Sequence, residues 1–326
     1  MTNYLFDTAN TDPTLNLAIE EALLLKEGLG PTLFLWQNAH TVVIGRGQNA
    51  WKECRSQLLE EEGGTLVRRS TGGGAVYHDL GNLNFSFVMP KEVYDVGRQL
   101  KVIRQAVARF GIETEASGRN DIVLKDSGAK FSGNAFRNTQ TRSLHHGTIL
   151  MDVDMALLGR YLVPSRQKLE AKGVESVRAR VGNLRELAAP DISIHALKEA
   201  LNQAFIAEYG PADLTSWQDV LDEDQVMELT GKYRSWDWTY GQTPRFEITL
   251  ENRFPWGGVE LLLSLKNALV QEVRCYSDAN DPDLAGRVEA ALAGSPFTSQ
   301  ALAERLRRSG KPEDGELADW LLTQDV

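Results

Sequence analysis

The chain has almost no cysteine. Cys54 and Cys275 are the two in 326 residues, too few for a disulfide framework. No apolar run is long enough to span a membrane. The polar opening Thr2-Asn3 lacks the basic-then-apolar pattern of a secretory signal. These absences predict a cytoplasmic protein with no membrane association. Positive charge is scarce as well: 35 lysines and arginines against 45 aspartates and glutamates leave a net charge of −10, which argues against a nucleic-acid partner. Internal repeats and low-complexity tracts are also missing. What remains is the composition of an ordinary globular protein, with a length that suggests two or three domains. The charge is uneven. Arg166–Arg185 holds six basic and two acidic residues, whereas Asp219–Glu228 is acidic. A basic segment on an acidic protein points to a local anionic partner, although a solvated basic loop has the same composition.

The first helix is marked by Asp12 as N-cap, Pro13 at the first helical position and Gly28 as its stop, with Leu15, Ala18, Ile19, Ala22 and Leu25 as an apolar stripe. Strand patterns follow at Thr32–Trp36, Thr41–Ile44, Thr65–Arg69, Ala75–His78 and Leu83–Met89, with a short helix over 54–62. A helix is predicted over 93–110, then strands near 112–116, 121–125, 129–136 and 143–151, and helices over 154–161, 193–208 and 217–230. Strands interleave with helices without strict βαβ alternation, which predicts an α+β domain with mixed or antiparallel sheets flanked by helices. The aromatic, turn-rich stretch 231–245 reads as a junction, and the three strands and three helices after it as a small C-terminal α+β domain.

The segment Arg68-Arg69-Ser70-Thr71-Gly72-Gly73-Gly74-Ala75-Val76-Tyr77-His78-Asp79 is the most informative one. Three consecutive glycines let backbone approach a ligand closely and adopt positive φ, and free N–H groups in such a turn can cradle an anion. Two guanidiniums precede it. No Gly-Lys-Ser/Thr follows, so it is not a Walker loop, and its exit reads as a strand, so it is not a dinucleotide fingerprint. Further on, Asn120 and Asp121 stand at a strand mouth, where they can bind a base edge, a sugar or Mg²⁺. Lys130 opens a segment of small residues and aromatics; it points either into a pocket or, as an edge-strand lysine, into solvent. His145 and His146 are adjacent, so on a strand they face opposite sides and do not ligate one metal together, and His78 alone would complete a triad. Helix placement predicts a buried, inert Cys54.

Taken together and in order, these segments resemble the lipoate–protein ligase A family. The carriers are the Arg-Arg-x-x-Gly-Gly-Gly-Ala-Val-x-His-Asp turn, Gly118-Arg119-Asn120-Asp121, Lys130-x-Ser132-Gly133-x-Ala135 and His145-His146-Gly147-Thr148. The opening Asn16-Leu17-Ala18-x-Glu20-Glu21, the segment Val42-Val43-Ile44-Gly45-Arg46, the loop Ala171–Arg178 and the C-terminal Arg253-Phe254-x-Trp256-Gly257-Gly258 continue the match over nearly the whole chain.

The resemblance implies a biotin/lipoate ligase-like catalytic domain over 1–244 and an accessory domain over 245–326. It implies ATP-dependent conversion of lipoate to lipoyl-AMP with Mg²⁺ and release of pyrophosphate. Transfer follows to a lysine of apo lipoyl domains of 2-oxo-acid dehydrogenases or of the glycine-cleavage H protein, by a monomeric enzyme. By resemblance, Arg69, Gly74, Ala75, Val76, Tyr77, Asn120, Asp121 and Arg178 contact the adenylate, and Asp121 is the candidate Mg²⁺ ligand. Leu17, Trp36, Val76, His78 and His146 wall the lipoyl slot, and Lys130 clamps the acyl oxygen and the α-phosphate electrostatically. The alternatives are an octanoyltransferase, an amidotransferase using preformed lipoyl-AMP, and a catalytically silent lipoyl-binding protein. The octanoyltransferase cysteine position reads Val163-Pro164-Ser165-Arg166 here, and the biotin-ligase Gly-Arg-Gly-x-x-Gly turn is missing.

Overall fold

The structure, a computed structural model, describes residues 1–117, 121–163, 181–187, 191–240, 248–266 and 269–324. Along the chain come strand β1 (Asn3–Asp7), helix α1 (Pro13–Leu25), β2 (Thr32–Trp36), β3 (Thr41–Ile44), β4 (Thr65–Arg68), β5 (Val76–His78) and β6 (Asn82–Pro90). After these follow β7 (Thr114–Ser117), β8 (Asp121–Leu124), β9 (Lys130–Asn138), β10 (Arg142–Leu150) and β11 (Ala212–Thr215). An eight-stranded sheet runs in the order β11-β1-β2-β6-β10-β9-β8-β7. Its β1 lies parallel to both neighbours, and the other pairs are antiparallel. A small second sheet, β4-β3-β5, packs over it. The expected α+β class with mixed sheets is what forms.

β6 shows how the sequence sets the layers. Leu83, Phe85, Phe87 and Met89 point to one face, where helices Val96–Ala108 and Ile194–Tyr209 pack with Val102, Ile103, Leu197 and Leu201. Asn82, Asn84 and Ser86 point to the other, as a period of two requires. All seven of these β6 residues are buried, so the polar face is also covered. The cover is α1, helix Glu223–Arg234 and the small sheet.

α1 begins as predicted, with the Asp12 carboxylate accepting from Thr14 N at 2.8 Å. It ends at Leu25, before Gly28, which sits at φ +81° in the following loop. Its environment differs from that of an amphipathic surface helix, because Asn16, Glu20 and Glu21 are as buried as Leu17 and Ile19. Each polar side chain is matched. Glu21 accepts from Arg137 Nη1 (2.8 Å, β9) and from Lys232 Nζ (2.6 Å) and Tyr233 OH (2.9 Å) on the helix Glu223–Arg234.

Strands β1 and β11 have no counterpart in the sequence reading; each is short, and β11 is an edge with Leu214 exposed, so neither carries a clear alternation. The helix expected over 217–230 splits into a 3-10 turn at Trp217–Asp219 and a helix at Glu223–Arg234 capped by Asp222. Part of the expected junction, Trp236–Thr239, is a further helical turn.

The C-terminal unit is an antiparallel meander of β12 (Ile248–Phe254), β13 (Gly257–Lys266) and β14 (Leu269–Ser277), packed against helices Leu284–Leu292, Ser299–Arg307 and Pro312–Leu321. It has its own core, including Leu261, Leu263, Val288, Leu302 and Leu317. The expected boundary at 244/245 lies outside the described residues. Among the described residues no helix is long and apolar enough to cross a membrane.

Burial alone would raise the Glu21 carboxyl, but hydrogen bonds and charge from Arg137 and Lys232 outweigh it and hold its pKa below the usual 4.5. A depressed carboxylate contributes stability that is full above its unfolded pKa and is lost as pH falls through the folded one. Glu21→Gln is therefore expected to lower unfolding stability by about 3 kcal/mol at neutral pH, with a smaller difference from wild type below pH 4.5. Urea unfolding of both proteins across that range measures this.

Candidate active site

The loop from β4 to β5 carries the three glycines, and it is held from within. Arg69 is 6% exposed. Its guanidinium donates to Gly72 O (2.6 Å), Gly74 O (2.9 Å), Val43 O (3.3 Å) and Thr71 Oγ1 (3.0 Å). Gly73 takes φ +89°, where glycine alone is unstrained. At Gly45, just past β3, a Cβ would overlap the Gly73 carbonyl oxygen. The outer side of the loop rests on the C-terminal unit: Gly73 N donates to Ala279 O at 2.8 Å, and a Cβ on Gly72 would overlap that same oxygen.

Arg68 points the other way and neither faces solvent nor shares the work of Arg69. It donates to Gly45 O (3.0 Å), Arg46 O (3.0 Å), Gln48 O (2.6 Å) and Thr239 O (2.7 Å), while Trp238 Nε1 donates back to Arg68 O (2.8 Å). Burial pushes both guanidiniums down to about 10, so both stay charged near neutrality.

Beneath the glycine loop lies a cavity of about 150 Å³ between the two sheets. Leu17, Trp36, Val76, His78, Lys130 and His146 line it, as do Arg69, Gly74 and Ala75. The structure thus brings together residues from α1, β2, β5, β9 and β10. The Tyr77 side chain is turned away from this cavity and packs against His40 and Tyr161. The strand period forces this, since Val76 and His78 take the cavity side. Lys130 Nζ lies over Gly133 and pairs with Asp121 at 2.6 Å. Asn120 and Arg178 lie outside the described residues, as does most of the basic segment 166–185. Asp79 has a structural task, accepting from Gly81 N and Asp154 N. A larger cleft of about 750 Å³ beside Arg46, Tyr276 and Arg287 contains none of the predicted site residues.

The adjacent histidines separate as their strand requires. His145 faces the core among Phe85, Phe87 and Phe136, between Gln99 and Asn134. His146 faces the cavity, with Nδ1 2.7 Å from Glu20 Oε1 and Nε2 2.8 Å from Thr71 Oγ1. Glu20 also accepts from Ser86 Oγ (2.5 Å), whose oxygen in turn accepts from Trp36 Nε1 (2.9 Å). This buried chain links α1, β6, β10 and the glycine loop. Sequence reasoning noted Glu20 only as part of a motif; the available signal was a carboxylate within the turns of a helix otherwise read as apolar. Burial, then the nearby Arg69 and His146, push His78 down to about 3, and burial followed by His146 does the same to His145. Among the described residues, no three His, Cys, Asp or Glu side chains converge as a metal site. Cys54 is buried and its thiol is pushed up to about 12, chiefly by desolvation.

Residues 12–206 match the lipoyl protein ligase A/B catalytic domain, and the chain belongs to that family. Residues 243–321 match the bacterial lipoate protein ligase C-terminus. Among solved structures, the chain resembles Plasmodium falciparum LipL1, solved in complex with lipoate, at 29% identity and a TM-score of 0.85, over 99% of this chain and 100% of that one. It also resembles a lipoate-protein ligase A bound with ATP, at 27% identity and TM-score 0.61, over 74% and 99% of the two chains. The ligase of a bipartite archaeal system from Thermoplasma acidophilum matches at 27% identity and TM-score 0.64, over 76% and 100%.

Two histidines held neutral have a consequence for stability. Their pKa values lie near 3 in the fold, against an ordinary 6.5. Between those values the unfolded chain binds more protons, so stability rises with pH, is full above 6.5 and is lost as pH falls toward 3. Unfolding near pH 5 is expected to take up at least about two protons per molecule. The slope of unfolding free energy against pH measures this uptake; a flat profile from pH 5 to 6.5 would contradict it.

Proposed function

We propose that the protein is an ATP-dependent lipoate–protein ligase, which activates lipoate as lipoyl-AMP with release of pyrophosphate and passes the lipoyl group to a lysine of an acceptor domain. The observation that carries this reading is the position of Lys130. Its side chain lines the slot together with the glycine loop, and its ammonium pairs with Asp121. A carboxylate and a triphosphate repel one another, and a preorganised cation between them lowers the barrier to their reaction. In this reading Lys130 clamps the acyl oxygen and the α-phosphate, while the backbone of Gly74, Ala75 and Val76 offers the nucleotide a close approach. Arg69 acts by shaping that backbone, because its N–H groups already bind loop carbonyls. The chain offers Asp121 as one carboxylate for Mg²⁺, which would neutralise triphosphate charge.

The relatives support the substrates: one was solved with lipoate, another with ATP, and the archaeal system includes an E2 lipoyl domain. Acceptors of the same kind, on 2-oxo-acid dehydrogenases or the glycine-cleavage H protein, are proposed for this chain. A thioester route, as in octanoyl transfer, is disfavoured by the chemistry of the two cysteines, since burial pushes both thiols up and away from the reactive thiolate.

Purified protein with lipoate, ATP and Mg²⁺ is expected to release pyrophosphate and to add the mass of one lipoyl group to an apo acceptor domain. Transfer from supplied lipoyl-AMP without pyrophosphate release from ATP would favour the amidotransferase alternative. Lys130→Ala is expected to reduce lipoyl-AMP formation by at least about a hundredfold while leaving a cooperative melt; near-normal turnover would remove Lys130 from the mechanism.

A further inference from the structure

We propose that His78 and Asn84 are two hydrogen-bond donors inside the apolar slot, and that they select an acyl tail carrying sulfur over a plain alkyl tail. Both side chains are at least nine-tenths buried and both line the cavity. Neither His78 Nε2 nor Asn84 Nδ2 has a hydrogen-bond partner among the described residues. Buried polar groups are almost always paired, so a ligand atom is the natural partner for groups that face a cavity.

A chain of amides sets which atom of His78 carries the proton. Asn16 Nδ2 donates to the backbone carbonyl of Gln37 at 2.9 Å, which fixes that amide. The same Nδ2 donates to Asn38 Oδ1 at 3.1 Å, so Asn38 presents its Nδ2 to His78 Nδ1 at 3.2 Å. Nδ1 is thereby an acceptor, and a neutral ring keeps its hydrogen on Nε2. In the structure Asn84 Oδ1 accepts from Asn82 Nδ2 at 3.0 Å, and this orientation of the amide leaves Nδ2 for the cavity.

The depth of these donors follows from the sheet. Lys130 Nζ lies over Gly133, whose N–H donates to Thr148 Oγ1 on the next strand. Thr148 stands opposite Asn84, and Asn84 opposite Trp36. Asn84 is therefore two strands from the lysine end, roughly 10 Å, the reach of a short acyl chain whose carboxyl sits at Lys130. A methylene tail at that depth would cover two N–H groups without accepting from either. The sulfurs of a cyclic disulfide are weak acceptors and would pair with them. A site with fixed donors discriminates against an analogue that lacks the matching acceptor.

This inference rests on the ligation reading for the identity of the acid, and the test separates the two. Titration calorimetry on the whole protein without ATP measures binding of lipoate and of octanoate, beside a pyrophosphate assay with ATP. Wild type is expected to bind lipoate more tightly than octanoate. Asn84→Leu and His78→Phe are each expected to cut that preference roughly fivefold to tenfold, by weakening lipoate while octanoate holds or improves. An unchanged preference, or equal losses for both acids in a folded variant, would overturn the assignment. If His78→Phe fails to fold because Asn38 loses its acceptor, Asn84→Leu decides alone. Selective lipoate binding by wild type without pyrophosphate release would sink the ligation reading and leave the donors standing. Binding of neither acid would sink both.

Discussion

A guanidinium is expensive to desolvate, and this protein buries two in succession with no carboxylate among the described residues in hydrogen-bond contact with either. Both are matched instead by backbone carbonyls, several per side chain, and that choice determines the site. A carboxylate partner would neutralise the charge. Carbonyl partners leave the positive charge in place at the end of the small sheet, and they fix the backbone that supplies them. Arg69 fixes the glycine loop in this way. Arg68 fixes the opposite side, joining the turn after β3 to the helical turn Trp236–Thr239. An acidic protein thus keeps local positive charge next to a cavity.

The polar face of α1 solves the complementary problem. A helix sandwiched between a sheet and another helix has little surface left for solvent, so Asn16, Glu20 and Glu21 must each find partners. Glu21 ties the helix to β9 and to Glu223–Arg234. Glu20 reaches His146 and Ser86, and Asn16 reaches Asn38 and through it His78. Two of these three contacts end on a cavity residue. The helix positions the slot as much as it walls it: an apolar residue at position 20 would leave His146 Nδ1 unmatched, and one at position 16 would leave the Asn38 amide oxygen unmatched.

Legibility in the sequence followed the range of each interaction. Local signals placed the elements well: Asp12-Pro13 opened α1, period two put His145 and His146 on opposite sides, and the same period separates Tyr77 from Val76 and His78. Applied to the loop exit, that period excludes Tyr77 from the cavity, although the motif taken as a block includes it. Long-range assembly was legible only through the resemblance, because Leu17, Trp36, His78 and Lys130 are far apart in the chain and carry no common spacing. Arg68 was not legible at all. Its partners are carbonyls of Gly45, Arg46, Gln48 and Thr239, and a backbone acceptor leaves no residue type behind to be read.

The glycines of the loop do different work. Gly73 supplies the left-handed backbone, but Gly72 and Gly74 have different reasons. Gly72 meets the carbonyl of Ala279 from the C-terminal unit so closely that a methyl group would push the two apart. Gly74 yields its carbonyl to Arg69 while lining the cavity. One residue shapes the loop, one lets the second unit approach, and one exposes backbone to the slot. The loop is therefore held on its inner side by Arg69 and on its outer side by Ala279. Its conformation depends on both halves of the chain, and the first sheet alone accounts for only the inner contact.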